Sequence, residues 1–220
     1  MECENYHYGI KELIERYPDL AVCVDDVKKA YEILEKCFTH SNKLLVAGNG
    51  GSCADSEHIV GELMKGFKKR RPISDTFANE LITIDQERGK ELAVKLQRGL
   101  PAIALSGHQG LNTAFTNDVE NGGLLTYAQQ VNVYGVVGDV FMGISTSGNS
   151  KNVMYAAITA KTKGLKVIGL TGENGGQLKD IADVTIRVPS NETFMIQEFH
   201  LPVYHCICLM LEERFFGNGR

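Results

Sequence analysis

Five short apolar runs constrain the fold of this chain more than any other feature. Each run is largely apolar, stops at a Gly, Ser, Thr or Pro, and leads toward a helical pattern; the runs cover residues 44–47, 102–105, 140–144, 167–170 and 184–188. A strand that is apolar along its length is buried on both faces, which requires helices on both sides of the sheet. The pattern predicts the α/β class, with a doubly wound five-stranded parallel sheet and helices on both faces.

Helical periodicity flanks this pattern. Apolar residues recur at helical spacing in residues 9–18 and 22–39, which predicts two helices in an amino-terminal segment over 1–40. The first helix is expected to end before Pro18. Residues 194–216 predict a long helix that is apolar on most sides, and is therefore buried against other helices or another subunit. We expect one domain over the whole chain.

Charge and composition exclude several classes of protein. The chain is 43% hydrophobic, and 23 basic against 27 acidic residues give a net charge of −4, which is typical of a globular protein rather than a disordered one. This balance disfavours nucleic-acid and membrane partners. No uninterrupted apolar run approaches the ~20 residues of a membrane span, and the first residues are acidic, so a cytoplasmic protein is expected. The six scattered cysteines are expected to be reduced.

A basic run at residues 68–71 is followed by a charged amphipathic pattern that extends to Pro101. The run has no interleaved aromatic residues, which favours a solvated helix end over a nucleic-acid patch. Helical spacing in the stretch after it is shown by Ile82, Ile84, Leu92, Val94 and Leu96.

Two loops that follow predicted strands carry groups that bind anions. The first consists of residues 48–52, whose glycines let a ligand approach the backbone at a helix amino terminus. The second, residues 145–150, places four hydroxyls before the next helix: Ser145, Thr146, Ser147 and Ser150. Taken alone, each loop also fits an ordinary turn or helix cap. Because parallel strands end at the same edge of a sheet, the two loops together favour a phosphorylated small molecule.

Two further groups of polar residues lie on predicted helices. His58 and Glu62 are four residues apart, so they face the same way and can share a metal ion or a proton, a surface contact being the alternative. Gln197, His200 and His205 interrupt the apolar last helix, where a buried histidine also fits a structural role. Gln197 and His205 are separated by roughly 12 Å along a helix and about 80° around it. Both reach one ion only if the helix begins near Gln197 or two chains contribute.

These residues together resemble the SIS (sugar isomerase) family. The resemblance covers the chain from about residue 41 and rests on motifs in a fixed order: 48–52 followed by His58 and Glu62, Asn117 with Asp118, 143–150, and 196–198 followed by His205. It implies the SIS fold and an aldose–ketose isomerase that converts sedoheptulose 7-phosphate to D-glycero-D-manno-heptose 7-phosphate. It also implies a homotetramer with its sites at subunit interfaces.

The resemblance assigns roles to individual residues. The phosphate-binding set is Ser145, Thr146, Ser147 and Ser150. The sugar-binding set is Asn49, Gly50, Gly51, Ser52, Glu62, Asn117, Asp118 and Gln197. In metal-containing members of the family, one zinc ion per site is held by the residues that match His58, Glu62, Gln197 and His205.

The chemistry of the expected reaction agrees with these roles. Interconversion of a ketose and an aldose moves a proton between neighbouring carbons through an enediolate with developing negative charge. Glu62 is the expected base, and His205 is expected to protonate and deprotonate the sugar oxygens. Zinc polarises the carbonyl, although a ligand set of nitrogen and oxygen also accepts other divalent ions.

Departures from the family pattern leave the identity of the sugar open. The chain is longer by about one helix near residues 73–98, the segment 119–123 differs, and Phe194 stands where some members carry a polar residue. One alternative is a non-catalytic SIS protein that senses sugar phosphates or binds a protein partner, which the presence of Glu62 disfavours. Another is an enzyme that acts on a different sugar phosphate.

Overall fold

A computed structural model describes residues 4–217 of the chain. At its centre is a five-stranded sheet in the order β2-β1-β3-β4-β5, and every neighbouring pair is parallel. The strands are β1 (Leu44–Gly48), β2 (Ala102–Ala104), β3 (Val140–Ile144), β4 (Lys166–Thr171) and β5 (Val184–Arg187). β1 and β3 are buried along their whole length, as expected for strands that are covered on both faces.

Helices cover both faces of the sheet because successive side chains of a strand point to opposite sides. Leu44 and Val46 face one layer of helices: α1 (Glu4–Arg16), α2 (Val24–Thr39), α3 (Gly51–Met64) and α10 (Thr193–Phe216). Leu45 and Ala47 face the other layer: α7 (Gly122–Tyr134), α8 (Lys151–Thr162) and α9 (Leu178–Ile181). The predicted doubly wound parallel sheet is confirmed.

The terminal helices follow their predicted positions. α1 ends at Arg16, and a 3-10 helix (Pro18–Cys23) joins it to α2. Pro18 stands at the start of that short helix, where its missing N–H has no helical partner to lose. α10 is long and apolar enough to cross a membrane by length and composition, but 56% of that stretch is buried inside the fold. It therefore packs as a core helix.

The segment near residues 73–98, which was predicted as a one-helix insertion, contains two helices: α4 (Asp75–Ile84) and α5 (Gln86–Lys95). The Asp85 side chain separates them, because it accepts hydrogen bonds from the first amides of α5 and so caps a new helix. Gly89 allows the two helices to touch, since a Cβ there would collide with the carbonyl oxygen of Leu81. No side chain of α4 is buried, so this hairpin lies outside the core.

The basic run at residues 68–71 is not the helix end that was predicted, and although Lys68 and Arg70 are exposed, Arg71 is not solvated. The run lies in the loop after α3, and Arg71 is only 1% exposed. Arg71 Nη2 lies 2.9 Å from Glu212 Oε1, and Arg71 Nη1 donates to the carbonyl oxygen of Leu63 at 2.8 Å. A buried arginine needs a charged partner, and here that partner is 141 residues away in the sequence.

The divergent segment at residues 119–123 forms the turn between α6 (Gln109–Asp118) and α7 and the first two residues of α7. Asn121 adopts a φ of 57°, in the left-handed region that asparagine tolerates. At Gly122 a Cβ would collide with the carbonyl oxygen of Phe115. The glycine therefore lets α7 start in direct contact with α6.

His200 gives α10 a pH-dependent contribution to stability. It is 0% exposed, and burial lowers its pKa to about 4. In the unfolded chain the ring protonates below about pH 6.5, so the unfolded state binds more protons between these values. The free energy of unfolding should therefore fall by about 3 kcal/mol as the pH drops from about 6.5 to 4.

Urea denaturation at a series of pH values measures this contribution. His200→Asn should remove it, whereas His40→Asn, at an exposed histidine, should retain it. The same acid dependence in His200→Asn and the parent protein would contradict the assignment.

Candidate active site

The two predicted anion-binding loops lie side by side. They follow β1 and β3, which are neighbours in the sheet, and Gly48 is paired in register with Ile144. Asn49 Nδ2 donates to Asn152 Oδ1 at 2.9 Å, and Asn152 Nδ2 donates to Asn49 Oδ1 at 2.8 Å. These two hydrogen bonds join the first loop to the start of α8, directly after the second loop, at the carboxyl edge of the sheet where open α/β sheets bind ligands.

The second loop brings hydroxyls and backbone amides together. The Ser145 and Ser150 hydroxyls lie 2.9 Å apart, and Gly148 has a φ of 67°, which favours glycine. Ser147 is exposed and Thr146 is half-buried. α8 begins directly after Ser150, so its unpaired amides lie at this loop. Hydroxyls and amides can bind a phosphate here without a lysine cluster.

The first loop lies against Gln197. Gly50 adopts a φ of 55°, and a Cβ on Gly51 would lie 2.5 Å from Nε2 of Gln197. The structure thus brings the Gln197 amide onto the glycine loop. Ser52 is 3% exposed, and its backbone carbonyl and Cβ lie against Gly48, so this residue is buried beneath the loop.

Asn117 and Asp118 lie at the end of α6. Both are exposed, and Asn117 Nδ2 donates to Asp118 Oδ1 at 2.8 Å. Within residues 4–217, neither side chain forms a hydrogen bond with either loop. Their contact with a sugar therefore stays a prediction.

His58, Glu62 and His205 form a cluster between α3 and α10. His58 Nε2 lies 3.3 Å from Glu62 Oε1, and the ring centroids of His58 and His205 are 5.0 Å apart. Lys65 Nζ donates to the other carboxylate oxygen, Glu62 Oε2, at 3.3 Å. His205 Nε2 is buried and has no hydrogen-bond partner among the described residues. The predicted pair on α3 is present, and the fold adds His205 to it.

The surroundings of His205 favour its neutral form. Burial lowers the pKa of His205, the nearby His58 and Arg16 act in the same direction, and Glu62 opposes them. The imidazole is therefore available to accept a proton near neutral pH. His205 also lines a cavity of about 600 Å³ between α1 and α10, so it adjoins open space.

Gln197 does not join this cluster within one chain. α10 begins at Thr193, so Gln197 lies inside the helix, and its amide lies at Gly51 rather than at His58. Gly51 and His58 are seven residues apart, which corresponds to about 10 Å along α3. One chain therefore does not assemble the four predicted metal ligands.

Without Gln197, the side chains of His58, Glu62 and His205 supply some of the ligands that a metal ion needs. In the portion of the chain that is described, no three His, Cys, Asp or Glu side chains are placed to hold a metal ion. Two imidazoles and a carboxylate nevertheless meet between α3 and α10, and His205 Nε2 is an unpartnered donor atom. Nitrogen and oxygen donors of this kind suit zinc and other divalent ions.

Sequence reasoning did not identify Asn152, Asp55 or Tyr204 as site residues. Tyr204 OH lies 3.0 Å from His58 Nδ1 and donates to Asp55 Oδ1 at 3.2 Å. Burial and then the Asp55 charge raise the pKa of Tyr204, so the hydroxyl keeps its proton. The spacing of Asp55 and His58, three residues apart on α3, was a usable signal. The sequence held no signal that Tyr204 is a site residue, because an aromatic residue in an apolar helix is typical of a core position.

Comparison with known proteins covers nearly the whole chain. Sequence profiles of the SIS domain match residues 91–172 and 137–208. The chain is 37% identical to the phosphoheptose isomerase of Aneurinibacillus thermoaerophilus over 211 residues, which are 96% of this chain and 90% of that protein. It is 39% identical to phosphoheptose isomerase 2 of Campylobacter jejuni over 193 residues, 88% of this chain and 82% of that protein.

The similarity extends to solved structures. The phosphoheptose isomerase from Neisseria gonorrhoeae matches with a TM-score of 0.68 at 30% identity, covering 94% of this chain and 98% of that one. Sequence and fold therefore agree over both the sheet and the helices that carry the site. This chain belongs to the phosphoheptose isomerase family of SIS-domain proteins.

Proposed function

We propose that this chain is an aldose–ketose isomerase that converts sedoheptulose 7-phosphate to D-glycero-D-manno-heptose 7-phosphate. The observation that carries the proposal is the presence, in one chain, of an amide- and hydroxyl-rich loop and a carboxylate–imidazole cluster. The loop suits the phosphate, and Glu62 with His205 suits proton transfer. The names of the relatives favour a heptose phosphate. A sensor of sugar phosphates needs the loop but has no use for the cluster.

In the proposed mechanism the phosphate loop and the carboxylate–imidazole cluster have different roles. The loop anchors the phosphate, so binding energy far from the reacting carbons orients them. Glu62 takes the proton from the carbon beside the carbonyl and returns it to the neighbouring carbon. His205, which burial keeps neutral, moves protons between the two sugar oxygens.

We further propose one zinc ion per site. His58, Glu62 and His205 are the candidate ligands, although no three such side chains among the described residues are already placed to hold an ion; Gln197 would be a fourth ligand if two chains build the site. A bound divalent ion polarises the substrate carbonyl and stabilises developing negative charge. Elemental analysis of the purified protein identifies the metal.

A homotetramer with its sites at subunit interfaces fits the distance between the loops and the cluster of His58, Glu62 and His205 within one chain. Gly51, in the glycine loop beside the phosphate loop, and Glu62 are eleven residues apart, about 16 Å along α3, so a neighbouring subunit would bring one chain's cluster to another chain's loops. Light scattering should give the mass of four chains, and an active monomer would contradict the proposal.

The cysteines of the described region are free thiols, which fits a cytoplasmic location; Cys3 lies outside that region.

A coupled assay of the zinc-supplemented protein tests the proposed reaction. Turnover of sedoheptulose 7-phosphate, compared with a panel of pentose and hexose phosphates, would support it. Turnover of another sugar alone would overturn the substrate assignment and implicate segment 119–123 or Phe194, which is 62% exposed. Binding of the heptose phosphate without turnover of any sugar would favour the sensor.

Ser147→Ala should raise the KM for the sugar phosphate by about 10- to 100-fold, because a hydrogen bond to a charged group contributes about 1.5–3 kcal/mol. The kcat should change little, since the loop lies away from the reacting carbons. Steady-state kinetics measures both constants. Ser74→Ala is the matched control, because Ser74 caps α4 through Phe77 N and lies outside the site. An unchanged KM in Ser147→Ala would contradict the phosphate assignment.

A further inference from the structure

A buried tyrosine hydroxyl connects a carboxylate to the cluster of His58, Glu62 and His205. Tyr204 is 2% exposed, and its hydroxyl lies 3.0 Å from His58 Nδ1 and 3.2 Å from Asp55 Oδ1. The hydroxyl has one proton, so it can donate to only one of these two partners. Which partner receives the proton determines which nitrogen of His58 carries a lone pair.

The acceptor chemistry determines the direction of both hydrogen bonds. Burial raises the pKa of the Asp55 carboxyl, while the hydrogen bond from Tyr204 and the charge of His58 lower it. In its ionised form Asp55 only accepts, so Tyr204 donates to Asp55, and its oxygen then accepts from the Nδ1–H of His58. The lone pair of His58 is thereby on Nε2. Nε2 lies 3.3 Å from Glu62 Oε1, so two acceptor atoms face each other, an arrangement that a cation between them would stabilise.

We propose that Asp55 and Tyr204 form a positioning relay that holds His58 in its Nδ1–H tautomer and presents its Nε2 lone pair toward Glu62. Neither relay residue touches the reacting atoms; both act through the His58 ring. The relay's effect on turnover rests on the proposed isomerase function, whereas its effect on the tautomer does not. Partners of this kind orient histidine ligands, and their loss costs about 10- to 100-fold in metal affinity or activity.

Tyr204→Phe removes the hydroxyl and keeps the ring, whose centroid lies 5.5 Å from that of His58. Nitrogen-15 NMR of the full chain, after dialysis against a chelator, reports the His58 tautomer, and His58→Gln assigns its signals. The parent protein should show the Nδ1–H tautomer. Tyr204→Phe should show a mixture. Asp55→Ala should shift His58 toward the Nε2–H tautomer, because the freed Tyr204 hydroxyl then donates to Nδ1.

Kinetics and metal binding supply the second readout. Tyr204→Phe should lower the kcat and the affinity for zinc alone by about 10- to 100-fold, with the KM for the sugar phosphate unchanged within about twofold. Tyr134→Phe is the matched control, because it removes a tyrosine–histidine hydrogen bond to His108 Nε2 of 2.9 Å elsewhere in the fold. The control should change neither kcat nor zinc affinity.

The two readouts separate failure of the relay from failure of the proposed function. An Nε2–H tautomer in the parent protein, or an unchanged tautomer in both Tyr204→Phe and Asp55→Ala, would overturn the relay. A parent protein that isomerises no sugar phosphate would overturn the proposed function, and the expected tautomers would still support the relay.

Discussion

Replacing Glu62 with glutamine is expected to abolish isomerase turnover while retaining sugar-phosphate binding. Glutamine has the shape of glutamate but does not accept a proton from carbon, and a positioned general base contributes about 100- to 10,000-fold to the rate. The glycine loop at the start of α3, which lies beside the phosphate loop, is about 16 Å from Glu62 along that helix. A coupled assay measures the kcat, and calorimetry with sedoheptulose 7-phosphate measures binding.

Glu15→Gln is the matched control for this prediction. Glu15 also forms an ion pair at helical spacing, with Lys11 on α1, but its side chain is exposed. Its kcat should equal that of the parent protein. If Glu62→Gln retained turnover within about tenfold of the parent, below the usual contribution of a general base, Glu62 would not be the base.

Arg71→Ala is expected to cause the largest loss of stability, about 3–5 kcal/mol in the free energy of unfolding. The side chains of Arg71 and Glu212 are each 1% exposed, so removing the guanidinium leaves a buried carboxylate without its partner. Arg71 also donates to the carbonyl oxygens of Leu63 at 2.8 Å and Glu62 at 3.2 Å. Its loss therefore also frees the end of the helix that carries the proposed base.

Urea denaturation of Arg71→Ala, Glu212→Ala and the double variant tests this prediction. The double variant should lose less stability than the sum of the single variants, because the two residues are in contact. Arg88→Ala is the control: Arg88 Nη1 lies 2.7 Å from Asp85 Oδ2, but its side chain is 81% exposed, so the loss should stay below about 1 kcal/mol. A comparably small loss in Arg71→Ala would show that the buried pair does not stabilise the fold.

Local patterns predicted the parts of the site that are built within a few residues. The glycines at 50 and 51 and the hydroxyls at 145–150 follow apolar strands directly, and the ends of strands and the starts of helices have recognisable sequence preferences. His58 and Glu62 followed from helical spacing alone. The division of the insertion at Asp85 also had a local signal, since aspartate is a preferred cap. The long amphipathic pattern on either side concealed that signal.

The sequence by itself determined the parallel sheet, its covering helices and the two loops at its edge, because periodicity and capping are encoded by neighbouring residues. Only the tertiary structure decided which polar side chains are buried and which hydrogen-bond or ion-pair partners they have. Arg71 pairs with a glutamate 141 residues away, Tyr204 stands between Asp55 and His58, and Gln197 lies at Gly51 rather than beside His205. Desolvation and hydrogen-bond partnership depend on the whole packed chain, so no window of sequence contains them.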